Sequence, residues 1–336
     1  MTLPPLSEQV VVLTGATSGI GLATARRLSA AGATLVLVAR NDEALTNLEQ
    51  ELSSEGGRAA AMPADVADAE ALRRIARDTR ERFGRLDTWI NDAGVAIYGA
   101  IVDVPLDEQR RLFETNYWGV VNGSLAAVEV FRAAGGRGKV INVGSVLSDR
   151  AMIFQGPYSA SKHAVKGFTD ALRMELAEAG LAVSVTLIKP AAIDTPYMEH
   201  GRNYLDAAGT KNPPPSYHPD VVAKAIAHAC EHDVRDLVVG GGGWAVSLMG
   251  ALAPTLTDLA MELVGKPMQT SRGTPREGTR DNLESPARDG SERSGMPEPS
   301  PRRSSLLLEA QMHPGAVAAA TLGLVGTLLL ARARRR

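Results

Sequence analysis

The chain alternates short apolar runs with longer stretches in which apolar positions recur every three or four residues. VVVLTG at 10–15 is an unbroken β-branched run ending in glycine, the pattern of a strand buried on both faces. Residues 19–31 read as a helix closed by Gly32. The same reasoning predicts strands at 33–40, 59–66, 86–94, 138–145, 181–191 and 236–241. Helices are predicted between them at 42–55, 68–83, 107–133, 157–179 and 219–232. Such alternation implies right-handed βαβ crossovers and a doubly wound α/β fold, with a seven-stranded parallel sheet and helices on both faces.

The pattern stops near residue 265. Residues 266–305 are rich in Pro, Gly, Ser and mixed charge, too polar to offset their ordering entropy, and read as disordered linker. Residues 306–336 form an apolar segment with a basic end. Within it, the uncharged run from Pro314 to Ala331 precedes RARRR. About eighteen residues make roughly 27 Å of helix, the short end for crossing about 30 Å of hydrocarbon. The expected organisation is a domain at 1–265, the linker, and a C-terminal helix that contacts membrane lipid through 314–331. The main domain is expected in the cytoplasm.

Composition narrows the function. A net charge of −2 and a pI near 6.3 carry no basic footprint for nucleic acid. Cys230 is the one cysteine, so no internal disulfide and no thiolate metal cluster can form, and the histidines show no metal-ligand spacing. No metal is expected.

The candidate chemistry sits at strand ends. T-G-A-T-S-G-I-G at 14–21 joins the first strand to its helix. Gly15, Gly19 and Gly21 let the backbone approach a pyrophosphate at the helix N-terminus, beside Thr17, Ser18 and Ile20. The second strand ends in V-A-R-N, where Arg40 and Asn41 stand and no carboxylate appears before Asp42. An arginine there accommodates a 2′-phosphate and favours NADP(H) over NAD(H). Asp65 and Val66 close the third strand, and Asn91, Asp92, Ala93 and Gly94 the fourth. Ser145 closes the fifth, and Tyr158 and Lys162 follow it on a helix. At i and i+4 the tyrosine and lysine share a face, and a nearby ammonium favours the phenolate, lowering the tyrosine pKa toward working pH.

Together these motifs resemble the short-chain dehydrogenase/reductase family over roughly residues 7–245. The matching stretches are T-G-x-x-x-G-I-G at 14–21, D-V at 65–66, N-D-A-G at 91–94, Asn116, Ser145, Y-x-x-x-K at 158–162 and P-A-A-I-D-T at 190–195. The chain further resembles uncharacterised bacterial members with an extended C-terminus. The resemblance implies a Rossmann-like fold and an oxidoreductase interconverting a secondary alcohol and a ketone or related carbonyl. It implies that Tyr158 is the acid/base, that Ser145 bonds the substrate oxygen, and that Lys162 holds the nicotinamide ribose. Asn116 would anchor a water in the proton relay. Gly15, Thr17, Ser18, Gly19, Ile20, Gly21, Arg40, Asn41, Asp65, Val66, Asn91, Ala93, Gly94, Tyr158, Lys162, Pro190, Ile193 and Thr195 would line the cofactor. A small-molecule substrate and a homo-oligomer are expected.

Two positions depart from the family pattern, which has Asn where Asp92 stands and Gly where Ala191 stands. The loop between Thr195 and Pro219 carries Tyr197, Met198, His200, Tyr204 and Pro213 to Pro215, and is expected to cover the substrate. A rival reading is a dinucleotide-binding redox sensor or scaffold at a membrane. An intact Ser, Tyr, Lys and Asn set argues for turnover.

Overall fold

The computed structural model describes residues 3–271, 281–286, 289–295 and 300–317. Seven parallel strands form one sheet: β1 (Val10–Thr14), β2 (Thr34–Val38), β3 (Arg58–Ala61), β4 (Thr88–Asn91), β5 (Arg137–Val143), β6 (Ala182–Pro190) and β7 (Asp236–Val239). Their spatial order is β3-β2-β1-β4-β5-β6-β7, so the chain reverses direction across the sheet between β1 and β4. Open α/β sheets bind ligands in the crevice at that reversal.

Helices α1 (Gly19–Ala30), α2 (Asp42–Ser54) and α3 (Ala69–Phe83) connect the first strands. Next come α4 (Leu106–Phe113), one π-helical turn over Glu114–Trp118, and α5 (Gly119–Ala133). Then follow α6 (Gly156–Glu178) and α7 (Pro219–Glu231). Adjacent strand residues point to opposite faces, and the core divides accordingly. Val11 and Leu13 of β1 pack with Leu22 and Leu28 of α1, Leu45 and Leu52 of α2 and Ile226 of α7. Val12, between them, packs with Leu72 of α3, Phe131 of α5 and Leu172 of α6. Both strand faces are dry, which is why these strands read as unbroken apolar runs. Cys230 lies buried within α7.

The helix expected over 107–133 is two helices joined by the π turn, within which Asn116 lies. Two helices that the sequence pattern does not predict follow β7, α8 (Gly241–Leu252) and α9 (Pro254–Gln269). The last, α10 (Leu306–Met312), seals the sheet edge. There the Gln311 amide donates to Val238 O at 2.9 Å, and its oxygen accepts the Val238 N–H at 3.0 Å. An uncovered edge strand would expose those groups for pairing with another chain. Of the stretch expected as linker, residues 281–286 and 289–295 lie against the domain, with Leu283 buried among Val95, Ile97, Val104 and Leu112. No helix among the described residues is long and apolar enough to cross a membrane. Most of the apolar run at 314–331 lies outside the described residues.

Candidate active site

The turn after β1 is built by steric exclusion. Gly15 adopts φ 73° and Gly19 φ 56°, both in the left-handed region. A Cβ on Gly15 would stand 2.8 Å from Ala93 N, and one on Gly21 2.0 Å from Gly15 O. Thr14 Oγ1 accepts the N–H groups of Asp92 at 3.1 Å and Ala93 at 3.3 Å, stapling the ends of β1 and β4 together. The result is a bare main-chain cradle at the N-terminus of α1, which fits a pyrophosphate.

From that cradle a narrow crevice runs along Gly15, Thr17, Ser18, Arg40, Asn41, Asp65, Val66, Ala93 and Gly94. Asn41 also caps α2 by accepting the Ala44 N–H at 3.1 Å. Asp65 accepts from Arg111 at 2.7 Å and from the Ala67 N–H at 3.0 Å, and this support holds its carboxyl below the usual range despite partial burial. Gly94 also borders a larger cavity of about 440 Å³. Ile20, Ser145, Tyr158, Lys162, Pro190, Ile193 and Thr195 line that second space.

Most of the sequence-derived residues therefore converge on two joined cavities. Gly19 and Gly21 shape the turn without lining either one. Asn91 does not reach them. Its side chain is buried, accepting from Trp89 Nε1 at 2.8 Å and donating to Asn142 at 2.9 Å and Ser124 at 3.1 Å. It belongs to a polar network under the site, because its place in β4 turns it toward α5.

Ser145 closes β5 and caps a short turn, accepting the Leu147 N–H at 3.1 Å. Tyr158 and Lys162 lie on the first turns of α6. The Tyr158 hydroxyl hydrogen-bonds with Ser145 and Tyr197. Lys162 donates to Val143 O at 2.9 Å, and its ammonium sits 5.7 Å from the centre of the Tyr158 ring. The tyrosine pKa moves opposite to the sequence expectation. Burial pushes it up to about 12, against the pull of its two hydroxyl partners. Burial also lowers Lys162 to about 8, against the opposing pull of the Asp92 carboxylate. Asp92 is lifted by burial to about 7 while facing Lys162 and accepting the Gly21 N–H.

Asn116 is fully buried and clamps the chain at Val95. It accepts the Val95 N–H at 2.8 Å and donates to Val95 O at 3.0 Å and to Ser161 Oγ at 3.2 Å. π-Helical turns recur at functional sites because they push one side chain out of helical register. Ala191 is accommodated by glycine on the facing segment, where a Cβ on Gly240 or Gly243 would lie 2.7 or 2.8 Å from the Ala191 methyl.

The loop after Thr195 divides. Tyr197 and Pro213 to Pro215 line the large cavity, whereas Tyr204 turns outward and donates to Glu108 at 2.8 Å. Met198 and His200 are buried in the loop's own packing. The sequence reading put Tyr197 in the loop expected to cover the substrate but gave it no place beside Tyr158. Its edge-to-face contact with Tyr158, at 5.4 Å between ring centres, needs the folded loop. Val246 and Ser247 of α8 and Met261 and Met268 of α9 complete an apolar wall.

A doubly wound sheet with this glycine turn and a Ser, Tyr and Lys set at one cavity defines a dinucleotide-dependent oxidoreductase fold. The family model for short chain dehydrogenases matches residues 9–204, and the chain belongs to that family. It is 45% identical to the uncharacterized oxidoreductase YxnA of Bacillus subtilis over 264 residues, covering 79% of this chain and 74% of that protein. Actinorhodin polyketide ketoreductase, solved with NADPH, superposes with a TM-score of 0.63 at 29% identity, covering 70% of this chain and 97% of that one. An alcohol dehydrogenase from Thermococcus sibiricus, complexed with 5-hydroxy-NADP, gives 0.60 at 26% identity, covering 69% and 95%.

Proposed function

We propose that the protein is an NADP(H)-dependent oxidoreductase that interconverts a secondary alcohol and a ketone or related carbonyl. The observation that carries this reading is the meeting of Ser145, Tyr158 and Lys162 on one wall of the large cavity, where Gly94 joins it to the glycine-lined crevice. The dinucleotide, when bound, supplies or accepts the hydride. Arg40, at the end of β2 with no carboxylate in the chain before Asp42, supports a 2′-phosphate and hence NADP(H), in keeping with the NADP-bound relatives.

The protein's own groups handle the proton. Tyr158 gives its proton to the carbonyl oxygen as that oxygen gains charge, and Ser145 donates to the same oxygen. With its pKa pushed to about 12, Tyr158 keeps its proton throughout the neutral range. Lys162 steadies the phenolate left behind. Asn116 holds the main chain at Val95 against α6 and so fixes the floor on which these groups stand. The apolar wall from α8, α9 and the proline run supports an apolar carbonyl substrate. The division into a catalytic domain, a linker and a C-terminal segment in contact with lipid remains part of this reading.

The test is NADPH oxidation across a panel of ketones, aldehydes and quinones, with Tyr158→Phe alongside. Loss of the acid should cost about 10²–10⁴ in rate. NADPH affinity should stay within about threefold, because the hydroxyl does its work on the substrate oxygen. Turnover that survives Tyr158→Phe refutes the assigned acid.

A further inference from the structure

Both halves of the dinucleotide crevice are covered by the chain's own C-terminal extension. Arg40 donates to Asn282 O at 2.5 Å and to Leu283 O and Glu284 O at 3.4 Å each. The Gly19 N–H, the first amide of α1, donates to Ser291 O at 3.0 Å, and Gly290 N–H to Thr17 O at 2.9 Å. The Asp289 carboxylate accepts from the Thr17 and Asn41 side chains. Asn282, Pro286 and Asp289 line the crevice beside Gly15, Arg40 and Asp65.

These partners form a pattern. The arginine at the end of β2 and the amides at the start of α1 are donors suited to phosphate oxygens. Here the arginine and the first of those amides, Gly19 N–H, are met by main-chain carbonyl oxygens of the extension. The space left in the crevice is about 110 Å³. Ligand sites run from about 300 Å³ upward, so an adenosine phosphate has no room while the extension is seated. The seat is anchored at both ends. Leu283 is fully buried, Asp281 pairs with Arg202 at 2.9 Å, Glu292 with Arg26 at 2.6 Å, and Arg293 with buried Asp194 at 2.6 Å.

We propose that residues 281–286 and 289–295 form an autoinhibitory strap that occupies the donors of the dinucleotide crevice, so that cofactor and strap exclude one another. The proposal rests on the reading of that crevice as a dinucleotide site. Apparent cofactor affinity is then the intrinsic affinity reduced by the fraction of molecules with the strap displaced. Release of the strap leaves Arg26 paired with Glu51 and Arg202 with Glu108, and detaches the half-exposed Arg293 from Asp194, so that the Arg293–Ser294 bond can enter a protease.

Limited trypsinolysis of the full chain gives a readout independent of turnover. Bound ligands ordinarily slow proteolysis of the fold, as mass action favours the native state. The strap predicts the reverse at one place, with saturating NADPH accelerating cleavage after Arg293 while cleavage within residues 10–240 slows. In parallel, Leu283→Ala removes the buried anchor, and NADPH titrated by its fluorescence should bind at least about tenfold more tightly than to wild type. Cleavage after Arg293 that NADPH slows or leaves unchanged, together with an unaltered dissociation constant in Leu283→Ala, overturns the strap and leaves the dinucleotide site standing. If neither wild type nor Leu283→Ala binds NADPH or NADH, the crevice reading falls and takes the strap with it.

Discussion

Asp92 offers a test of the electrostatics under the site. Its carboxylate faces the Lys162 ammonium and accepts the Gly21 N–H, and burial raises its pKa from 3.8 to about 7. In the unfolded chain the group ionises near 3.8, so folding at higher pH must either take up a proton or bury a charge. Its favourable contribution is complete below about pH 4 and is lost as pH rises through 7. Between pH 5 and pH 7, at about 1.36 kcal/mol per pH unit, the loss is about 3 kcal/mol. Asp92→Asn keeps an oxygen for the Gly21 N–H and removes the charge. The comparison is clean at pH 5 and pH 9. At pH 5 Asp92 is largely protonated, and at pH 9 Lys162, held near 8, has lost most of its proton. At pH 9 the lysine's pull, which helps hold Asp92 down at about 7, has largely gone, so about 3 kcal/mol is the least that the buried charge should cost there. Urea unfolding should show Asp92→Asn gaining about 3 kcal/mol relative to wild type at pH 9 over its standing at pH 5. The same difference at both pH values would refute the reasoning, because the carboxylate would then be titrating as if exposed.

Two further outcomes follow from the crevice. Gly21→Ala places a methyl 2.0 Å from Gly15 O, and displacing that carbonyl should cost about 1–3 kcal/mol of stability and weaken NADPH at least about tenfold. Thermal unfolding and fluorescence titration check both, and an affinity within twofold of wild type shows that the turn does not cradle the cofactor. Arg40→Ala removes a charge-assisted partner for the 2′-phosphate and also three contacts to the strap; loosening the strap acts on both cofactors alike, so NADPH should weaken relative to NADH by about tenfold or more. Equal losses for the two cofactors would sink the phosphate clamp.

Much of the protein was legible in its residues, for local reasons. Apart from the half-exposed edge strand β3, the strands are largely dry on both faces, so each appears as an apolar run of strand length, and their helices carry one apolar stripe apiece. The glycine turn, Ser145, Tyr158 and Lys162 were legible because steric room and side-chain chemistry are properties of the residues themselves. What the sequence did not determine depends on contacts between distant segments. The helix over 107–133 breaks at Asn116 because Val95, twenty-one residues earlier, takes both ends of its amide. Asn91 lies under the site because its strand face meets α5. The sequence pattern gives no helix after the seventh strand, yet the glycines at 241–243 open α8, which packs against Ala191 and Val146. The same holds for charge and for the tail. Spacing alone puts a cation near Tyr158 and lowers its pKa, whereas the depth of burial, a property of the whole fold, raises it to about 12. Polar composition marks 266–305 as linker, but the buried Leu283 and a set of main-chain oxygens hold residues 281–286 and 289–295 on the crevice. The chain's local pattern determined the elements and the reactive groups, while tertiary packing decided their protonation and what covers them, because desolvation and long-range hydrogen bonds arise only when distant segments meet.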